Sequence, residues 1–129
     1  MSDLREYIGR IADSGQLRVV SREVSTEYEV AGLTAKADGS DAVLFENVGN
    51  GGFRLVSNLV GSRRRFALAV GDNDIHGRMI SAIKDARSPE TVPDGAFMEN
   101  AARDIHRLPI VRHFEKESGP FITLSLIHI

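Results

Sequence analysis

Three consecutive arginines follow a serine at Ser62-Arg63-Arg64-Arg65, the sharpest chemical signal in this chain of 129 residues. Gly61 and Ser62 open a helical pattern, so the arginines crowd its first turn. Cations there oppose the helix macrodipole by roughly a few tenths of a kcal/mol per exposed residue. Something should offset them. A bound phosphate, a carboxylate or a neighbouring subunit would make Arg63, Arg64 and Arg65 a contact site. Nearby acidic side chains such as Glu46 would make them a solvated basic turn. Nucleic acid fits poorly, because three residues fall short of the usual basic cluster and no aromatic residues interleave them.

His106, His113, Glu115 and Glu117 form the one grouping with metal-capable side chains. Their spacing matches no helix-borne pair at i, i+4 and no metalloprotease motif. Arg107, Arg112 and Lys116 lie among them and disfavour a bound cation, so solvated surface is the simpler reading. His76 flanks an apolar helical stripe and is not read as a ligand. Glu115 and Glu117 could serve acid/base work, but nothing in their polar surroundings suggests the desolvation that would tune one of them. Gly49-Asn50-Gly51-Gly52 lacks the G-x-x-x-x-G-K pattern of a phosphate loop and precedes a strand. No G-x-S-x-G nucleophile elbow occurs, and there is no cysteine. Disulfides and cysteine-based zinc sites are therefore excluded. No catalytic, cofactor-binding or metal residue is assigned.

The elements that would position these residues read as follows. Leu4, Tyr7, Ile8 and Ile11 recur at helical spacing, with Asp3 and Glu6 as a capping box and Gly15 at the C′ position. Leu17 to Val24 is a β-branched strand. Thr26 and Glu29 form a second capping box, ahead of a helix carrying Val30, Leu33 and Ala37. Ala42 to Val48 and Phe53 to Leu59 read as a hairpin about the glycine-rich turn. A short helix follows through Phe66, Ala69 and Val70. Another runs from about Asn73, with Ile75, Met79, Ile83 and Ala86 on one stripe, until Ser88-Pro89 stops it. Pro93-Asp94-Gly95 signals a turn. Residues 96–120 look irregular, with Leu108-Pro109-Ile110 extended, and Phe121 to Ile129 reads as a strand. The order predicts an α/β (mixed α+β) fold, a small mixed sheet flanked by helices.

The length suits one domain. Formal net charge is -2, which supplies no basic field for nucleic acid or anionic lipid. No apolar stretch approaches the ~20 residues of a membrane helix, and the polar N-terminus is not a signal peptide. The expected location is cytoplasmic. Phe121 to Ile129 is uncharged and strand-prone, without the charge or proline that usually guards such a segment. It reads as part of a sheet that continues in further sequence, the alternative being a buried carboxy-terminal strand.

Several stretches, in order, resemble the amino-terminal domain of UbiD-family decarboxylases. Asp3 to Ile8 is similar to the family's opening helix, and Gly15 to Val20 to the turn into its first strand. Val24 to Glu29 is similar to the lead into its second helix. Ala42-Val43-Leu44-Phe45-Glu46-Asn47-Val48 resembles its "LFENV" strand. Asn58-Leu59-Val60-Gly61-Ser62-Arg63-Arg64-Arg65 resembles its asparagine-to-"GSRRR" turn, and Asp104 to Ile110 its "LPI" passage. Glu117 to Thr123 resembles the glycine-rich entry to the next domain. The tail from Leu124 departs from the family pattern, and no function is built on it.

The resemblance implies the amino-terminal part of a larger multidomain enzyme. Residues 1–118 would form the UbiD-like domain, and residues 119–129 the truncated start of the cofactor-binding domain, with the part from 124 a candidate for non-native sequence. Family members are reversible, non-oxidative decarboxylases of aromatic or α,β-unsaturated carboxylic acids, such as a 4-hydroxybenzoate-type substrate. They use prenylated flavin mononucleotide (prenylated FMN) with manganese (Mn2+) and a monovalent cation, and they form homo-oligomers. The metal, flavin and substrate residues of the family lie beyond the glycine-rich entry. This stretch alone is therefore expected to be inactive and to hold no cofactor, with no nucleic-acid partner. The alternative is a stand-alone α/β binding or assembly module that uses the Arg63–Arg65 turn.

Overall fold

The computed structural model describes residues 4–95, 101 and 104–117. Helix α1 (Leu4–Asp13) leads into strand β1 (Leu17–Val24), helix α2 (Glu29–Lys36), strand β2 (Ala42–Val48) and strand β3 (Phe53–Ser57). Helices α3 (Arg63–Val70) and α4 (Ile75–Lys84) follow. The sheet order is β1-β2-β3, with β1 parallel and β3 antiparallel to β2. This is the small mixed sheet flanked by helices that the sequence predicts.

Two apolar clusters hold the layers. Val43 and Phe45 of β2 pack with Val30 of α2 and with Ala37 just past its end, and Val111 comes from far along the chain to join them. Ala42 packs instead with Tyr7 and Ile11 of α1, supported by Leu17, Leu59 and Leu68. Adjacent side chains on a strand point to opposite faces, so β2 is the shared wall between the clusters. An irregularity between Phe45 and Val48 in the ladder to β3 lets both residues join the first cluster, where strict alternation would have turned Val48 away.

Local signals account for most element ends. Gly15 stands at φ 69, and Gly15 and Gln16 N–H donate to the carbonyls of Ala12 and Ile11, closing α1 as a glycine C′ residue does. The turn between β2 and β3 contains a short 3-10 helix, Gly49–Gly51, and then Gly52 in the left-handed region.

Five expectations are corrected or fall elsewhere. α2 is not capped by Thr26. Its N-cap is Tyr28, in the left-handed region at φ 65 and without a side-chain cap. Glu29 does reach backwards, but it accepts from the backbone N–H of Ser25. Tyr28 is held in place from outside, because its N–H donates to the Arg112 carbonyl and Arg112 N–H donates to Thr26. β3 ends at Ser57, not Leu59, because Asn58 turns to φ 56 and leaves extended backbone. α4 ends at Lys84, ahead of Ser88-Pro89: Ile75 is buried, but residues 78–94 are all exposed, and a short helix without packing frays early. Asp3 and the strand expected over Phe121 to Ile129 lie outside the described residues.

Candidate functional site: the Asn58–Arg65 turn

Ser62 is the N-cap of α3, and its Oγ accepts from the backbone N–H of Arg65 at 3.2 Å. That bond winds the first helical turn so that Arg65 points inward. The arginines then part company. Arg63 and Arg64 are exposed, and neither joins an ion pair among the described residues. Arg65 is fully buried, at 0% exposure.

Its guanidinium serves the backbone. Nε donates to the carbonyl of Asn58 at 3.0 Å and Nη1 to the carbonyl of Ser40 at 2.6 Å. Nη2 is also buried and has no hydrogen-bond partner among the described residues. A side chain on Gly61 would begin 3.2 Å from Nη2 and 3.3 Å from the Asn58 carbonyl, so glycine there gives the guanidinium room. Ser40 lies just past the carboxyl end of α2, where a positive charge is favoured by the helix dipole. Two backbone carbonyls therefore take the charge of Arg65, in place of a carboxylate or phosphate. Glu46 plays no part in it among the described contacts.

Further bonds tie the turn to the rest of the fold. The Asn58 side-chain amide donates to the carbonyl of Thr34 in α2 at 3.0 Å, and the Thr34 hydroxyl donates to Ser57 Oγ at 3.0 Å. From α1, the Tyr7 hydroxyl lies 2.8 Å from the carbonyls of both Leu59 and Arg65. Burial raises the Tyr7 pKa above its usual value of 10.0, against the lowering influence of Arg65 and Arg10. Tyr7 and Asn58 carry no sequence signal of their own for this role. The left-handed Asn58 is legible only in hindsight, as a residue that tolerates positive φ before a glycine-containing turn.

The remaining candidates do not converge. His113 N–H donates to Glu117 in a local turn, and His106 N–H to Asp104. No group of three or more metal-capable side chains occurs among the described residues. His76 is exposed on α4. A cleft of about 760 Å³ is lined by Arg10, Asp13, Arg64, Leu68, Gly71 and Asp72, among others. It lies at the carboxyl ends of α1 and α3, and its two arginines are matched by two aspartates. Both features disfavour the phosphate of a flavin in that cleft. No helix among the described residues is long and apolar enough to cross a membrane.

Comparison with known proteins places this geometry. Residues 8–83 match the family model for the 3-octaprenyl-4-hydroxybenzoate carboxy-lyase N-terminal domain, UbiD_N. The chain is 32% identical over 127 residues to an anhydromevalonate phosphate decarboxylase of Methanosarcina mazei, covering 95% of this chain and 29% of that relative. It superposes on the UbiD-class enzyme HmfF from Pelotomaculum thermopropionicum, solved in complex with FMN, with a TM-score of 0.80 and 31% identity. That match covers 91% of this chain and 28% of HmfF. A vanillic acid decarboxylase of Sedimentibacter hydroxybenzoicus matches 58% of this chain and 17% of its own, at TM-score 0.53 and 31% identity. The chain thus spans under a third of the relatives it matches. The family model covers the sheet and all but the ends of the helical frame around Arg65, and this chain belongs to the UbiD family, as its amino-terminal domain.

Proposed function

We propose that the chain is the amino-terminal scaffold of a non-oxidative decarboxylase and that the chemistry is carried by sequence beyond it. The observation that carries this reading is the family match joined to the inward use of Arg65. Arg65, the buried member of the marked cluster, holds the backbone of the domain together. In this reading residues 1–118 form the scaffold domain and residues 119–129 begin the cofactor-binding domain.

The full-length protein would act on an aromatic or α,β-unsaturated carboxylic acid. The names of the relatives as decarboxylases support the reaction class, and a neighbour solved with prenylated FMN supports the cofactor. When bound, that flavin supplies the electron sink for loss of carbon dioxide. Manganese, a monovalent cation and assembly as a homo-oligomer in the cytoplasm complete the proposal. The part of this chain is mechanical: the Tyr7–Asn58–Arg65 node fixes α1, α2 and α3 on the sheet.

The test is carbon dioxide release from a panel of aromatic and unsaturated acids, using the full-length protein reconstituted with prenylated FMN and manganese. The 129-residue chain, treated in parallel, is expected to release none and to retain no flavin after desalting. Activity in the short chain would overturn the proposal.

A further inference from the structure

Helix α4 begins well anchored and then leaves the body of the domain. Ile75, at 8% exposure, packs at its first turn. From there its stripe runs into solvent: Met79 is 55% exposed, Ile80 39% and Ile83 78%. A ten-residue helix is marginal in water without tertiary packing. Scattered apolar side chains need no explanation, but three on one short helix make a contiguous patch. Arg78 and Lys84 flank the stripe on either side, as the helical spacing requires. Neither joins an ion pair among the described residues.

We infer that the Met79–Ile80–Ile83 face of α4 is an interface, covered by the carboxy-terminal remainder of the full-length polypeptide. This rests on the proposal that the chain is one domain of a longer decarboxylase. The occupant follows from length: the matched relatives continue for more than two-thirds of their sequence outside the part this chain spans. A covering domain joined in the same chain meets this face at high effective concentration. Its surface carries an apolar centre for the three side chains and carboxylates at the rim for Arg78 and Lys84.

The test is hydrogen exchange of residues 75–84, followed by mass spectrometry in the full-length protein and in the 129-residue chain over a range of concentrations. Protection of α4 is expected to rise by about a hundredfold in the full-length protein, as packed elements do relative to frayed ones, and to be unchanged on dilution. Ile83→Glu is expected to lower the melting temperature of the full-length protein and leave that of the short chain unchanged. Equal exchange in both proteins would overturn the inference. Protection lost on dilution would overturn it too, since a second copy would then be the cover. Decarboxylation is scored separately. An active protein with α4 unprotected removes this interface alone, and an inactive one with α4 protected removes the functional reading alone.

Discussion

Arg65 Nε donates to the carbonyl of Asn58, 3.0 Å away, while Asn58 itself stands in the left-handed region at φ 56. The two residues define each other. The left-handed turn ends β3 and aims the Asn58 carbonyl at the guanidinium, which gives that carbonyl a second donor beside the Gly61 N–H.

Arg65→Met should therefore remove the guanidinium donor from the Ser40 carbonyl and leave the Asn58 carbonyl with the Gly61 N–H alone. The expected loss is roughly 2 kcal/mol, chiefly from the broken contacts of the buried guanidinium, because Ser40 is exposed and its carbonyl can turn to water. Arg65→Lys should recover only part of it, because a single ammonium does not reproduce the guanidinium fork. Urea denaturation of the wild type and both variants measures this. A loss for Arg65→Met no greater than for an exposed substitution would contradict the role of the node.

Arg63→Gln with Arg64→Gln should behave differently. Both side chains are exposed, and the cost to the isolated chain should stay within about 0.5 kcal/mol. In the full-length protein the pair tests whether the free guanidiniums meet a carboxylate elsewhere. Weakened assembly or a lower melting temperature, with turnover little changed, is the outcome expected of such a contact. Lost turnover with assembly intact would place them near the chemistry instead.

Tyr7→Phe removes the hydroxyl that reaches the carbonyls of Leu59 and Arg65. The cost should be about 1 kcal/mol at neutral pH. Its pH dependence has a definite sign. Burial raises the folded-state pKa above 10.0, so the neutral phenol contributes stability that is fully present below pH 10.0 and is lost as pH rises through the folded value. The difference between wild type and Tyr7→Phe should shrink in denaturation curves taken above pH 10.0.

Glu29 works in the opposite direction. The Ser25 N–H donating to its carboxylate lowers its pKa below 4.5, and Arg22 adds to the effect. Its contribution is present above pH 4.5 and is lost as pH falls through the lowered folded value. Acid denaturation should show the advantage of wild type over Glu29→Gln narrowing below pH 4.5. Added salt should narrow it at neutral pH as well, because the carboxylate and Arg22 are solvent-facing.

Much of the frame was legible because it rests on local rules. The β-branched runs at Leu17–Val24 and Ala42–Val48, the glycine at position 15 and the serine at position 62 act on neighbours within a turn or a pleat, and each ends up where those rules put it. Thr26 failed as a cap because a distant residue, Arg112, holds Tyr28 in an unusual backbone conformation. No local pattern announces a contact across that distance. The end of α4 was misjudged for the converse reason: its stripe is amphipathic, but only Ile75 finds a surface among the described residues.

The sequence by itself determined the order of helices and strands over residues 4–84, the absence of cysteine chemistry and the family resemblance, because each depends on residue type and short spacing. What only the tertiary structure decided is the meaning of the three arginines. Neighbours in sequence on a helix point about 100° apart, so one turn can send Arg65 into the fold while Arg63 and Arg64 stay in water. Which of them goes inward depends on where Ser40, Asn58 and Tyr7 arrive, from 25, 7 and 58 residues away. That convergence of backbone carbonyls is a property of the packed chain. It makes a cluster that reads as one basic site into one internal fastener and two exposed charges.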